Sequence, residues 1–310
     1  MLNAIWNQIV DLTIVVVLFR FMTPILLAAL GGLISDIAGV INISLEGLML
    51  LSAFTSIAVC SGTGSWALGI AAGAAVAVAV SYAIGFFSIR LKVDIIIAGF
   101  AVNIFGSGFT IFMMNKMYGQ AGNYSPPDLH NIPNVNIPFL EHVPVIGKLL
   151  SGHSLMVWAA FILVAFCVAL IYKTPYGVHL RAVGEAPDAA KSVGIPVRRV
   201  QYSALAWSGL FAGLAGAYLS TGMTSMFVKD MTAGTGFLAL AVVLLGNRNP
   251  IGILIGSFIF GLASAVTTIV QTIPGSQYPT QFIQMIPYVV TILALVFFAL
   301  RKKRRHALAV

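Results

Sequence analysis

Long apolar runs recur along the whole chain, and they constrain its fold more than any other feature. Runs of roughly 18 or more apolar residues are long enough to cross about 30 Å of hydrocarbon as helices. Only 8% of the residues are charged, whereas a soluble domain has about 25%. Because lipid offers no partners for unpaired backbone groups, such runs must form helices. The sequence therefore predicts an all-α polytopic membrane protein.

The apolar runs divide the chain into nine crossings, or eight with a re-entrant piece, and we expect about 8–10 transmembrane helices. The predicted spans are 12–34, 43–61, 65–88, 95–114, 154–172, 202–221, 231–246, 251–272 and 282–300. We interpret 1–310 as a single transmembrane domain. Its predicted parts are a first helical repeat (1–114), an external loop (115–153), a linking helix (154–172), a cytoplasmic loop (173–201), a second helical repeat (202–300) and a basic tail (301–310).

Basic residues can nearly all be placed on one side of the membrane. With 173–201, 301–310 and the short links at 90–92 and 248 on that side, it carries 13 of the 17 Lys and Arg. Cytoplasmic loops are rich in Lys and Arg, so the pattern predicts a cytoplasmic C-terminus and an external N-terminus. This grouping explains the net charge of +8 without nucleic-acid binding. Arg20, inside the first span, is expected to snorkel or to pair with Asp11.

The segment 173–201 is the only long stretch between apolar runs that is both polar and helix-capable. Residues 186–193 are predicted to form a short helix, opened by Pro187 and Asp188 and closed by Gly194. A short basic helix on one face of a membrane protein indicates a surface that a partner binds. The segment's cationic side chains are Lys173, Arg181, Lys191, Arg198 and Arg199.

Two apolar segments are interrupted by glycine and polar residues, one at 31–46 and one at 229–236. Spans 1 to 4 begin outside in this arrangement and spans 6 to 9 begin inside, so the two groups have opposite topology. Broken helices at corresponding places in two halves are typical of inverted repeats around a central pathway. The alternative is that these glycines only mark turns at the membrane interface.

Polar residues inside the apolar segments have two possible roles. They can supply hydrogen-bonding groups along a pathway for a polar, uncharged solute, or they can cap a helix and clamp it to its neighbour. For Asn42, Ser44 and Glu46 the clamp is favoured, and for Asn103 the two roles are balanced. The candidate pathway residues are Asn42, Ser44, Glu46, Asn103, Thr232 and Thr235.

Small residues form one face of the span at 202–221. Gly209, Gly213 and Gly216 follow the i, i+4, i+7 spacing of a helical stripe. Such a face lets two helix backbones approach closely in lipid. We expect tight internal packing there and no solute site.

Four stretches of the chain carry distinctive motifs: GVINISLEGLMLLSAF (39–54), LRAVGEAPDAAKSVGIPVRRVQ (180–201), SGLFAGLAGAYLS (208–220) and GTGFLALAVVLLGNRNPIGILIGSFIFG (234–261). In these stretches the chain resembles permease subunits of ABC importers in the branched-chain amino acid, ribose and nucleoside group. The similarity covers nearly the whole chain, and RAVGE followed by AA and GI is specific to this group. The NISLEG form is most similar to the nucleoside branch, whereas the ribose branch more often carries an aspartate-containing GIDLS form.

The resemblance implies that 173–201 holds a coupling helix that binds a cytoplasmic ABC ATPase and transmits its motion to the membrane helices. It also implies an extracytoplasmic solute-binding protein and either a second, larger permease or a second copy of this chain. The chain would be a transport subunit and not an enzyme, in a bacterial or archaeal cytoplasmic membrane. The implied coupling residues are Arg181, Gly184, Glu185, Ala186, Ala189, Ala190, Gly194 and Ile195.

ATP and Mg would be bound by the partner, because the sequence contains no GxxxxGK[ST] phosphate loop, and no cofactor or metal is expected in this chain. The expected solute is a nucleoside, with a ribose-like sugar as the alternative. An ion-coupled carrier or channel is a competing class, in which Asp36, Glu46 and Asp94 would titrate. A membrane scaffold without transport is a third class.

Overall fold

The computed structural model describes residues 13–120, 122–127, 131–135, 152–272, 282–283, 285–294 and 296. The labelled helices are α1 (Thr13–Ile37), α2 (Leu45–Thr63), α3 (Trp66–Gly85), α4 (Ile95–Tyr118), α5 (Leu155–Lys173), α6 (Pro175–Glu185), α7 (Pro187–Ser192), α8 (Val197–Ala217), α9 (Thr235–Leu245) and α10 (Pro250–Thr272). Two-residue strands lie at β1 (Asn123–Tyr124), β2 (Asn134–Val135), β3 (His153–Ser154) and β4 (Phe227–Val228). Asp11 and the tail at 301–310 lie outside the described residues.

Six of the described helices are long and apolar enough to cross a membrane: α1, α2, α3, α4, α5 and α10. Each coincides with a predicted span, which confirms the all-α polytopic fold class. Helix α8 covers the predicted span at 202–221 but begins earlier, at Val197, within the polar segment. Of the last predicted span, 282–300, residues 286–294 are helical.

The predicted span at 231–246 is a half-length helix. Helix α9 has 11 residues, which is about 16 Å at 1.5 Å per residue and about half of the hydrocarbon thickness. The chain ahead of it is irregular because Asp230, Ala233 and Gly234 have positive φ angles of 52°, 43° and 80°. Of the two predicted arrangements, nine crossings or eight with a re-entrant piece, the short helix favours the second, and the predicted interruption at 229–236 is present.

A second difference concerns the polar segment, where a helix was predicted only at 186–193. Helix α6 precedes it, and its start carries two standard signals. The Thr174 side chain accepts a hydrogen bond from the Gly177 backbone, and Pro175 occupies the first turn. The segment is therefore a pair of short helices joined at Ala186.

Helix α2 lies at the centre of the fold. Leu45, Leu48 and Met49 on α2 are completely buried, and this helix packs against α3, α4, α8 and α9. Helix α1 packs against α8, α9 and α10. The interrupted ends of α1 and α9 are therefore held around the start of α2.

The small-residue face of α8 is confirmed as a packing surface. A Cβ at Gly209 would lie 2.7 Å from the Ala77 carbonyl oxygen, and one at Gly213 would lie 2.8 Å from the Ala74 Cα, both on α3. A Cβ at Gly216 would overlap the Met49 carbonyl on α2. Three helix backbones meet along this stripe as lipid-embedded helices do.

The described parts of the predicted external loop contribute to two small antiparallel strand pairs. Strand β1 pairs antiparallel with β4, and β2 pairs antiparallel with β3. The first pairing ties the loop after α4 to the irregular chain before α9. The loop is thereby fixed at the membrane end opposite α7.

Candidate functional site

Helix α7 forms where the sequence predicts it, within one residue at each end. It spans Pro187–Ser192. Gly194 has φ +86°, and the Ile195 N–H donates to the Ala190 carbonyl at 3.0 Å, which closes the helix with a left-handed turn. The segment is therefore ordered by its own backbone bonds and is not a free loop.

One face of α7 is exposed and the other is buried in the chain's own core. The run from Glu185 to Ala189 is exposed, including Ala186. Val193, just beyond the helix, is 77% exposed, whereas Ala190 is only 3% exposed. Of the predicted alanine pair, Ala189 is available to a partner and Ala190 anchors the helix.

Gly184 joins the α6–α7 pair to the end of α1. A Cβ at Gly184 would overlap the Ile37 carbonyl and lie 3.1 Å from the Gly39 nitrogen. Gly39 itself has φ +75°. Because the two backbones touch without intervening side chains, a displacement of α6 is transmitted directly to α1.

Arg181 and Tyr176 hold α6 on its neighbours. The Arg181 guanidinium lies 5.7 Å from the centre of the Tyr172 ring on α5, and the Tyr176 hydroxyl lies 2.9 Å from the Ser203 hydroxyl on α8. Burial raises the pKa of the Tyr176 phenol above its ordinary value, so this hydrogen bond is kept at neutral pH. Arg181 thus has an internal contact.

A groove with a volume of about 800 Å³ lies between α7, the start of α8 and the π-helical turn Phe86–Arg90 after α3. It contains both signs of charge. Such a mixed, open surface suits a protein partner better than a small molecule. Its charged lining residues are Asp188, Lys191, Arg198 and Arg199.

The second part of the site is a junction at the start of α2. The Glu46 carboxylate accepts hydrogen bonds from the backbone N–H groups of Gly234 at 2.8 Å and Gly236 at 2.6 Å. Glu46 lies in the first turn of α2 and Gly236 in the first turn of α9. The positive ends of two helices therefore meet at one carboxylate, which both dipoles stabilise.

Asn42 lies at the centre of a completely buried polar network ahead of α2. Its side-chain amide donates to Ser208 on α8 at 3.0 Å and to Ser81 on α3 at 3.4 Å. Its carbonyl oxygen accepts from the Ser44 backbone at 3.1 Å. Asn42 and Ser44 are both fully buried, so these side chains join three helices.

Asn103 connects α4 to the same junction. Its amide donates to the Ile43 carbonyl at 3.1 Å and accepts from the Gly47 N–H at 2.8 Å. Thr232 is 1% exposed and Thr235 is half-buried. Three of the six predicted pathway residues, Asn42, Glu46 and Asn103, form hydrogen bonds between segments at this junction.

Sequence reasoning missed a polar face on the outer half of α4. The Ser107 hydroxyl donates to the Asp230 carboxylate at 2.6 Å, and Lys229 and Asp230 are exposed. The stacked rings of Phe105 and Phe109, with centroids 5.1 Å apart, lie on a different face of the helix, because residues two apart do not share a face. Charged groups are costly in lipid, so the polar face suits water. The sequence signal for this polar face was the charged pair Lys229-Asp230, which lies directly ahead of the broken helix.

The carboxylates of the competing carrier class all have structural contacts. Asp36 forms an ion pair with Arg248 at 3.3 Å. Asp94 caps α4 by accepting from the Ile96 N–H at 2.7 Å and lies at the helix end. Glu46 is held by α9 as described above. These contacts place the three carboxylates at separate ends and junctions instead of along one relay.

Comparison with known proteins gives a consistent result. The family described as "Branched-chain amino acid transport system / permease component" matches residues 14–295. The nucleoside ABC transporter permease protein NupC of Lactococcus lactis is 32% identical over 90% of this chain and 89% of its own length. The guanosine ABC transporter permease protein NupQ of Bacillus subtilis is 34% identical over the same shares.

A third similar protein is a putative glucose ABC transporter permease of Haloferax volcanii, 33% identical over 79% of this chain and 73% of its own length. No solved structure matches the chain. The family match and these relatives together span nearly all of the described helices.

Proposed function

The chain belongs to the branched-chain amino acid transport permease family, and from that premise we propose that it is the membrane permease subunit of an ATP-driven importer of nucleosides. The observation that carries the proposal is full-length similarity to relatives named for nucleoside and guanosine transport. The chain itself makes and breaks no covalent bond in this role. A separate ATPase binds ATP and Mg.

The exposed face of α7 is the proposed docking surface for that ATPase. Glu185, Ala186 and Ala189 offer a small, mostly uncharged edge, and Val193 supplies an exposed apolar contact. The cations that line the adjoining groove would orient the partner. An ATPase bound at α7 would put this end of the protein in the cytoplasm of a bacterium or archaeon. The distribution of Lys and Arg supports the same side for the C-terminus.

Motion would pass from α7 to the membrane helices through backbone contacts. Gly184 on α6 touches Ile37 and Gly39 at the end of α1. Helix α1 packs against α8, α9 and α10, so its displacement reaches the Glu46 junction. ATP-driven closure of the partner can in this way switch the pathway between inward-facing and outward-facing states.

The polar face of α4 is the proposed wall of the pathway. Ser107 and Asp230 offer hydrogen-bonding groups. These groups suit a nucleoside, whose sugar hydroxyls can form hydrogen bonds with them. Helix α4 is the least buried of the six spans, as expected if a second permease completes the pathway.

We infer a second, larger permease as the partner across this face, with a second copy of this chain as the alternative, and an external binding protein that delivers the solute. A ribose-like sugar is the alternative solute, which the glucose-named relative favours. A sugar would use the same polar groups.

The proposal is tested by purifying the chain gently from its native membrane and identifying its partners by mass spectrometry. We expect an ATPase, with or without a second permease and a binding protein. The complex is then placed in proteoliposomes with ATP inside, and uptake of radiolabelled guanosine is compared with that of ribose. Recovery of this chain alone in several mild detergents would contradict the importer function.

The variants Glu185→Lys and Ala189→Trp alter the exposed edge of α7 and should abolish ATP-driven uptake and release the ATPase. The matched control is Lys116→Gln, which changes an exposed residue near the end of α4, on the membrane side opposite α7. It should leave uptake unchanged. Uptake that survives both α7 variants would favour a carrier. If neither the native complex nor any variant moves a solute, the scaffold class is favoured.

A further inference from the structure

A small polar cavity lies at the membrane end opposite α7, and the proposed transport role does not use it. Its volume is about 180 Å³. It is enclosed by α1, the start of α5, the β2–β3 strand pair and the π-helical turn Tyr218–Thr224. The polar side chains that line it are Arg20, Asn134, His153, Ser154 and Tyr218.

Arg20 gives this cavity a positive charge inside a predicted membrane span. One guanidinium nitrogen donates to the Met223 carbonyl, and the side chain is exposed. Within the described part of the chain, no carboxylate lies within ion-pair distance of Arg20. Because a guanidinium has five donors in a planar fork, Arg20 retains donors for an anion such as phosphate.

An apolar groove adjoins the polar cavity on the outer surface of α1 and α5. Its volume is about 320 Å³, and its lining has no polar surface. Phe19 and Phe161 form its walls, with ring centroids 5.7 Å apart. The groove shares His153 and Val157 with the cavity, so the two form one continuous depression, polar at one end and apolar at the other.

Trp158 extends the apolar wall of the groove. Its indole ring lines the groove, whereas its Nε1 atom is buried and contributes no polar surface to the groove. The ring therefore offers apolar contact to an acyl chain.

We propose that this depression binds one phospholipid. Its phosphate lies at Arg20, and its acyl chain lies along Phe19 and Phe161. Arg20 is six residues after the start of the apolar span at Ile14, or about 9 Å along the helix. The long Arg20 side chain extends toward the membrane surface to meet the phosphate.

The geometry favours a lipid over a free anion or a transported solute. Inorganic phosphate would satisfy Arg20 but would leave the groove and Trp158 without contacts. The depression also lies on α1 and α5, whereas the polar face of α4 packs on the other side of α2. A bound lipid would brace the β2–β3 strand pair against both helices.

The test is native mass spectrometry of the full chain, purified with its partners and reconstituted with phosphatidylglycerol. The wild-type protein should retain one phospholipid. Arg20→Gln should reduce the retained fraction about tenfold, as the loss of a charge-assisted contact implies, and Arg20→Lys should restore part of it. Lys116→Gln, which removes an exposed cation at the same membrane end, should retain the lipid.

Equal retention by wild type and Arg20→Gln would overturn the proposal. It would also be overturned if the wild-type complex retains no lipid because a second permease covers the groove, or if inorganic phosphate alone displaces the lipid.

Discussion

The carboxylate of Glu46 accepts a hydrogen bond of 2.6 Å from the backbone N–H of Gly236, so the starts of α2 and α9 meet at one side chain. These helices lie 190 residues apart at that contact. The bond joins the first helical group to the second inside the apolar part of the fold. Its removal should therefore destabilise the whole membrane domain.

Glu46→Ala should lower the free energy of unfolding by about 2–4 kcal/mol, because two backbone donors lose a charged acceptor. Glu46→Gln should cause an intermediate loss of stability. Its side-chain carbonyl can still accept from one backbone N–H, whereas its NH2 group faces the other backbone donor and forms no bond with it. Thermal unfolding in one detergent measures the effect. The control Glu185→Gln is on an exposed surface and should stay within about 0.5 kcal/mol of wild type.

Gly236→Ala tests the same junction from the opposite helix. A Cβ there would overlap the Glu46 nitrogen and lie 2.6 Å from the Glu46 Cα, so α9 must move away. We expect little folded protein in detergent extracts, measured by size-exclusion chromatography. Gly108→Ala on α4 is the matched control, because a Cβ there meets none of the described atoms within 4 Å. Equal yields from both variants would refute the close approach.

Gly184→Ala and Gly194→Ala separate transmission from local helix geometry. The Gly184 change forces α6 away from Ile37 and should abolish coupled uptake even if the ATPase still binds. The Gly194 change places a side chain at φ +86°, which costs about 1–2 kcal/mol but causes no overlap with the described residues. It should reduce uptake only partly. The measurements are ATPase co-purification and uptake, compared for both variants.

Asn42→Ala should destabilise the fold without touching the α7 surface. It removes donors to Ser81 and Ser208 and the acceptor of Ser44, and it leaves a small void at a completely buried site. We expect a loss of about 2–4 kcal/mol in unfolding free energy. Asn115→Ala, at an exposed position on α4, should be nearly neutral in the same thermal unfolding assay.

Asp36→Asn distinguishes the importer from the carrier. The Asp36–Arg248 pair is at 3.3 Å, with Arg248 49% exposed, and such a pair contributes at most about 1 kcal/mol. An ATP-driven permease should keep most of its uptake, and the small stability loss should shrink at high salt. A carrier that uses Asp36 as its titrating group would lose transport completely, in an assay of uptake against external pH.

The spans and α7 could be predicted because their signals are local. Long apolar runs define α1 to α5 and α10, and Pro187 with Gly194 defines the short helix. The shortness of α9 could be predicted only in part. The interruption by Gly234 and Gly236 is visible in the sequence, whereas the left-handed geometry at Asp230 and Ala233 has no strong sequence signal. Helix α6 was not predicted, although Thr174-Pro175 is a local start signal, with Thr174 as the helix cap and Pro175 in the first turn.

The roles of the polar residues depended on long-range contacts. Asn42 and Asn103 are the same residue type, and only the fold shows that the Asn42 side chain joins the start of α2 to α3 and α8 whereas the Asn103 side chain joins α4 to α2. The groove at Phe19, Trp158 and Phe161 likewise combines side chains from two distant helices. A sequence pattern records spacing along one helix and carries no information on such pairings.

The shortness of α9 also sets the thickness of the barrier that a solute must cross. Helix α9 covers about 16 Å of a hydrocarbon layer about 30 Å thick. The chain ahead of it is irregular and exposes Lys229, Asp230 and Ala233, and irregular backbone at that depth must border water or protein. Under the proposed function, hydration therefore extends from outside to the Glu46 junction. A polar solute would meet its desolvation barrier only in the inner half of the membrane.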